Sequence, residues 1–341
     1  MSNADATETA IYDLINSFRI SQAVSVAVRL GLADLIRDDV VSIAELATQS
    51  GTNPDALYRL LRALAAVGVL HEEADRHFRL DQMGQFLRRD HSRSVAGWAA
   101  FISEPSYWAA WGDLLHSVQS GENAYRHVHG VDNWTYRSQH PEAAALFDDG
   151  MTAVADMVVG SVLDVFDFGP FPTIADIGGG RGAFLAAILS KHPGSRGILF
   201  DLPHVVAGAD AVLGKAGVAD RCQIIGGTFF DGIPAGADAY IMKSILHDWE
   251  DADCLRILRA CRAAMPSGSA LLLVEWALGP ANANQSAKFS DLNMLVSPGG
   301  RERTAEAYAA LMTECGFAYQ SETPSRSGRS VFAGTALPMQ E

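Results

Sequence analysis

The chain has 341 residues, 48% of them hydrophobic, which exceeds one typical domain and suffices for two cores. Its formal charge of −14 opposes a sequence-independent grip on phosphate backbones, so no nucleic-acid partner is expected. Residues 1–9 lack the basic and apolar regions of a leader, no stretch runs apolar for the ~18 residues of a membrane span, and Cys222, Cys254, Cys261 and Cys315 show no metal-ligand spacing, so a cytoplasmic protein with reduced thiols, no membrane partner and no metal is expected.

From Ile11 to about Asp90 apolar residues recur every three or four positions, a helical pattern. Asn53-Pro54-Asp55 predicts a helix start, Leu57, Leu60, Leu61, Leu64 and Val67 share one face, and Gly68 is the stop. Two short β-like runs follow, Val69-Leu-His and Phe78-Arg-Leu. Helices followed by a small hairpin predict a winged-helix module. Its presumed recognition helix carries only Arg59 and Arg62, with Asp55 at its start, so an oligomerisation or lid role is expected ahead of DNA contact. Residues 98–151 read as helical and carry Trp98, Phe101, Tyr107, Trp108, Trp111, Trp134, Tyr136 and Phe147, aromatics that either pack domains together or wall a site for a flat ligand.

After Gly169-Pro-Phe-Pro172 the pattern changes. Strands are predicted at 173–177, 195–200, 222–225, 239–242 and 270–275, and helices at 182–192, 252–265 and 305–315. Repeated βαβ units imply a doubly wound, mostly parallel sheet with ligands at the carboxyl ends of its strands. The predicted division is residues 1–100, a helical winged-helix domain; 101–160, a helical linker; and 161–341, an α/β Rossmann-like domain.

Asp176-Ile-Gly-Gly-Gly-Arg-Gly182 joins a predicted strand to a predicted helix, and its glycines allow a tight turn whose N–H groups approach a ligand. Gly178-x-Gly180-x-x-Ala183 also fits a dinucleotide fingerprint, and Asp201 at the next strand end suits ribose hydroxyls of either cofactor. Spacing alone therefore leaves NAD, for an oxidoreductase, level with S-adenosylmethionine (SAM). Asp176 tilts the balance, because a carboxylate there repels a pyrophosphate but attracts the ammonium and sulfonium of SAM.

Lys243-Ser-Ile-Leu-His247-Asp248-Trp249 places a histidine at the carboxyl edge of the sheet, with Glu275 ending the fifth predicted strand and Glu302 in the turn Pro298-Gly-Gly-Arg-Glu302. A lone histidine is commonly a surface or core residue. A carboxylate on one imidazole nitrogen would instead leave the other as a base, suited to a phenol whose neutral oxygen, with a pKa of ~10, is a poor nucleophile.

These residues resemble the metal-independent SAM-dependent O-methyltransferase family of plant caffeic-acid and bacterial polyketide type. The resemblance runs from about Ile11 to Gly334 and rests on Asp176–Gly182, Phe200-Asp-Leu-Pro203, Lys243–Trp249, Glu275 and Pro298–Thr304 taken in order. It implies a class I methyltransferase domain behind an N-terminal winged-helix domain that forms a homodimer. It also implies His247 as general base, Glu275 and Glu302 as its orienting groups, and S-adenosylhomocysteine as product. Asp176, Gly178, Gly180, Asp201, Thr228, Phe229, Lys243 and Ser244 fall to the cofactor; Trp108, Trp111, Phe147, Met151, Asp248, Asn293 and Met294 fall to a small aromatic acceptor. One departure stands out. The family's Gly-Asp-Met/Phe-Phe segment reads Gly227-Thr-Phe-Phe230, putting a hydroxyl where a carboxylate addresses the adenine. A ligand-sensing winged-helix regulator with a degenerate methyltransferase domain is the remaining alternative.

Overall fold

A computed structural model describes residues 3–338. The chain divides into two compact units, Met1–Trp108 with Glu142–Val154, and Ala109–Pro141 with Ala155–Glu341.

In the first unit the predicted helix spans Pro54–Ala66. The Asn53 side chain accepts the Ala56 N–H at 3.0 Å, and Leu57, Leu61 and Leu64 are buried. Gly68, at φ +76°, turns the chain into the hairpin. Asn53→Ala removes this cap and is expected to cost about 1 kcal/mol, read as a lower midpoint in denaturant unfolding. The hairpin strands, β2 (Leu70–Glu73) and β3 (His77–Leu80), form a three-stranded antiparallel sheet with β1 (Val41–Ser42), in the order β1-β3-β2. With two residues, β1 is too short to leave an alternating pattern in the sequence. Arg62 and Arg76 lie over the Tyr58 ring, at 5.3 and 4.4 Å from its centroid.

The second unit is built on seven strands: β4 (Thr173–Ile177), β5 (Arg196–Asp201), β6 (Cys222–Gly226), β7 (Ala239–Lys243), β8 (Ala270–Trp276), β9 (Phe317–Pro324) and β10 (Arg329–Ala336). Their order is β6-β5-β4-β7-β8-β10-β9, parallel except that β10 runs antiparallel to both neighbours. The five predicted strands and the helices Ala183–Lys191, Asp251–Ala264 and Ala305–Glu314 lie within a residue of expectation. β9 and β10 went unforeseen: β9 is a half-exposed edge strand rich in polar residues and ending in proline, and β10 carries Gly334 in its interior. Tyr240, Met242, Leu271, Leu273 and Phe332 of the sheet pack with Ile257, Leu258, Tyr308 and Met312 of two helices, each buried aliphatic side chain contributing roughly 1.5–3 kcal/mol.

Chain order reverses beside β4, whose neighbours are β5 and β7. Doubly wound sheets take their ligands at such a switch point, and the glycine loop after β4 and the His247 turn after β7 both emerge there. The four cysteines are free thiols, and no helix among the described residues is long and apolar enough to cross a membrane.

Candidate active site

The glycine loop leaves β4 and enters helix Ala183–Lys191 with Gly178, Gly180 and Gly182 at φ +69°, +61° and +84°. A Cβ on Gly178 would fall 2.3 Å from Cδ1 of Ile245, the residue before the His247 turn, so a side chain here would require Ile245 to shift. Gly180 faces open space and donates its N–H to Asp201 Oδ2 at 2.7 Å; the other Asp201 oxygen accepts from Leu202 N–H at 2.6 Å. The cradle therefore combines a glycine turn at a helix start with a carboxylate at the end of β5.

Asp176 corrects the simple charge argument. Instead of presenting its carboxylate to a ligand, it is wholly buried beneath Gly179, where an added Cβ would lie 2.7 Å from it. Neither oxygen meets a hydrogen-bond partner among the described residues. Burial pushes the Asp176 pKa up to about 7, against the pull of the Lys243 ammonium. Its influence on a ligand thus passes through the loop it supports.

Lys243 ends β7; burial and then Arg329 lower its pKa, while Asp176, Glu275 and Asp248 oppose them. Ser244 follows at φ +56°, a left-handed conformation that costs a non-glycine residue about 1 kcal/mol or more, with its N–H bonded to Val274 O at 3.0 Å. Thr228 Oγ1 already accepts the Phe230 N–H at 3.3 Å, so the hydroxyl in the position of the expected carboxylate is partly used in its own turn. Phe229 and Phe230 meet the Trp249 ring edge-on at 5.7 and 4.9 Å, and Trp134 stacks parallel to Trp249 at 6.4 Å. Trp134 stood among the aromatics of residues 98–151 and Trp249 in the motif Lys243–Trp249, but the sequence did not pair them, because an aromatic carries no signal of which ring it will face.

His247 sits in a single 3-10 turn, Leu246–Asp248, directly after β7. Its Nδ1 lies 2.8 Å from Glu302 Oε1 and 3.8 Å from Glu275 Oε2, and its Nε2 lies 3.5 Å from Asp248 Oδ1. Glu275, in β8, accepts the Ile245 and Leu246 N–H groups at 2.9 Å each, pinning the turn that carries the histidine. Glu302 is held in turn: Ser290 donates to its Oε1 at 2.6 Å, and its N–H donates to Asp291 at 2.9 Å. Arg303, 4% exposed, donates to Leu246 O at 2.9 Å and Trp249 O at 2.8 Å, tying the loop after Pro298 to both ends of the histidine turn. Gly300 completes the fit, since a Cβ there would fall 2.1 Å from His247 O. The motif Pro298–Thr304 pointed to Gly300 and Arg303 as a group without revealing their roles, and Ser290 and Asp291 left no signal in the helical run that contains them.

Burial alone would lower the His247 pKa, but Glu302, Glu275 and Asp248 overturn that and push it up to about 10. Burial likewise raises Glu275 to about 7 and Asp248 to about 6, with His247 opposing both shifts. The histidine and two glutamates also lie close enough to hold a metal ion. Both carboxylates, however, approach one ring nitrogen, the arrangement that holds a proton on Nδ1 and leaves Nε2 as a base.

Trp111 donates its indole N–H to Asn293 Oδ1 at 3.2 Å, and Met294 is buried on the same helix, Gln285–Val296. Trp108, Phe147 and Met151 belong to the other unit, where Phe147 meets Phe101 edge-on at 5.4 Å.

A seven-stranded, mostly parallel sheet of this order, with a glycine cradle at its switch point, is the class I methyltransferase fold, and here the turn after the adjoining strand β7 carries an oriented histidine. The chain matches an O-methyltransferase domain over residues 111–318 and an O-methyltransferase dimerisation domain over residues 12–90. It is 40% identical to a phenazine O-methyltransferase of Lysobacter antibioticus, covering 94% of each chain, and 37% identical to a mitomycin biosynthesis 6-O-methyltransferase of Streptomyces lavendulae, covering 95% of this chain and 93% of the other. The crystal structure of an O-methyltransferase from neocarzinostatin biosynthesis, in complex with SAM and 2-hydroxy-5-methyl naphthoic acid, superposes with a TM-score of 0.76 at 31% identity, covering 93% of this chain and 96% of that one. The chain belongs to the SAM-dependent O-methyltransferase family of secondary metabolism.

Proposed function

We propose that the protein methylates a hydroxyl of a small aromatic acceptor, with His247 as the general base. The observation that carries this reading is the imidazole held between Glu302 and Glu275 on Nδ1 and beside Asp248 on Nε2. SAM, when bound, supplies a sulfonium-activated methyl group. The phenolic proton passes to His247 Nε2, which makes the oxygen a competent nucleophile, and the two glutamates stabilise the imidazolium that results. Gly178, Gly180, Asp201, Thr228, Phe229, Lys243 and Ser244 would hold the cofactor, with Asp176 supporting the loop from beneath. The open face of Gly180, next to the Asp201 carboxylate, fits the class of ligand that presents ribose hydroxyls. Trp111, Asp248, Asn293 and Met294 are assigned to the acceptor, and Trp108, Phe147 and Met151 carry the same assignment.

A planar, hydroxylated ring system accords with the phenazine and naphthoic acid named for the relatives. The N-terminal helices expose Ile11 and, within the matched dimerisation domain, Tyr12, Leu14, Ile15 and Phe18, an apolar face suited to a second copy of the chain. Light scattering is expected to give twice the 36.5 kDa chain mass. The function is tested by calorimetric SAM binding followed by mass-spectrometric assay against hydroxylated phenazines, naphthoates and benzoates. A gain of one methyl on oxygen supports it; SAM binding with no acceptor turned over, together with specific DNA retention, favours a regulator. Asp201→Ala is expected to weaken SAM at least about tenfold, because it removes both a carboxylate and the latch on the Gly180 N–H.

A further inference from the structure

A second cluster of ligand-type side chains stands apart from His247. Asp113 precedes helix Leu114–Ser120, His116 lies in its first turn, and His127 belongs to helix Ala124–His129. The chain reverses between these helices at Gly121, φ +76°. Asn123 locks the second helix in place: its Oδ1 accepts the Arg126 N–H at 2.9 Å, while its Nδ2 donates to Leu295 O at 2.9 Å and Ser297 O at 3.0 Å. The imidazoles of His116 and His127 therefore lie face to face, 3.7 Å between centroids and 9° between planes. Asp113 Oδ2 is 2.7 Å from His127 Nδ1, and Glu122 Oε2 is 3.4 Å from His116 Nε2. One ligand atom from each of Asp113, His116 and His127 falls within 4.8 Å of the others.

Methyl transfer uses none of these groups. Two imidazoles with one or two carboxylates form the donor set of borderline divalent ions, zinc first among them, whereas calcium and magnesium favour oxygen throughout. We infer that Asp113, His116 and His127, with Glu122 at the rim, bind one zinc-class ion that clamps helix Leu114–Ser120 to helix Ala124–His129. The parallel rings must turn toward a common point for their lone pairs to converge; side-chain exposures of 23% for His116 and 54% for His127 leave room for that rotation and for entry of the ion. Helix Leu114–Ser120 begins three residues beyond Trp111, whose indole is bonded to Asn293, so the ion would stiffen the segment behind that contact.

The test is a Zn²⁺ titration of the untagged full chain in competition with a chromophoric chelator. One equivalent is expected to bind with micromolar or tighter affinity, weakened at least about tenfold in His116→Ala and in His127→Ala. The exposed His71→Ala should bind like the parent. Retained SAM affinity and turnover without added zinc show that each variant folds. Anomalous diffraction at the zinc edge should place the ion between the two helices. Binding that survives the double substitution of His116 and His127, or that is lost only with His247→Ala, overturns the inference, as does the absence of one-equivalent binding.

Discussion

Replacing His247 with alanine is expected to lower kcat by about 10²–10⁴-fold while leaving calorimetric SAM affinity within about twofold, because in the proposed mechanism the imidazole meets the acceptor proton rather than the cofactor. The pH dependence is the sharper check. With the His247 pKa raised from 6.5 to about 10, the neutral base is a minor form at pH 7, so kcat/KM should climb as pH rises through the window between those values. Glu302→Gln removes the carboxylate 2.8 Å from Nδ1, and with it the largest upward influence on that pKa. The rising limb should then move to lower pH, and kcat should fall because the imidazolium formed during transfer loses its nearest counter-charge. A limb that stays in place in Glu302→Gln, or a His247→Ala enzyme with parental turnover, would remove His247 from the mechanism.

Gly300→Ala should be the most damaging single-methyl change in the site. Its Cβ would lie 2.1 Å from His247 O and 2.4 Å from both Asp248 C and Trp249 N. All three are backbone atoms, so no rotamer change relieves the contact. The histidine turn is held from beneath by Glu275 and from the side by Arg303, and Glu302 lies only two residues beyond Gly300. Separating the two segments therefore lengthens the Glu302–His247 contact as well. Overpacking of this kind costs typically 1–3 kcal/mol, and kcat should fall at least about tenfold in the protein that remains folded. Gly160→Ala serves as the control, because that position lies inside helix Pro141–Leu163 with nothing within 4 Å of an added Cβ. It should leave activity unchanged and raise stability by up to about 1 kcal/mol. Equal unfolding midpoints for Gly300→Ala and the parent would show that the loop yields more readily than its backbone contacts imply.

The sequence by itself determined the parallel part of the architecture and nominated the residues of the candidate site. Period-2 and period-3.6 patterns, an asparagine-proline helix start and glycine stops are local properties, and they located the five parallel strands β4 to β8 within a residue. The strands it did not reveal are those whose pattern depends on neighbours: β1, too short for a period, β10, buried between β8 and β9, and β9, a half-exposed edge strand paired only with β10. The same divide runs through the site. Gly178, Asp201, His247, Glu275 and Glu302 stood out because they end strands or sit in turns, positions that chain order alone assigns to the carboxyl edge of the sheet. Whether each faces the cleft was decided only by the tertiary structure. It buried Asp176 beneath the loop it was expected to arm, and engaged Thr228 in its own turn. It also brought Ser290, Asp291, Gly300 and Arg303 from later segments to fix the histidine and its glutamate. A side chain's direction and partners depend on contacts between segments tens of residues apart, and no pattern within one segment encodes them.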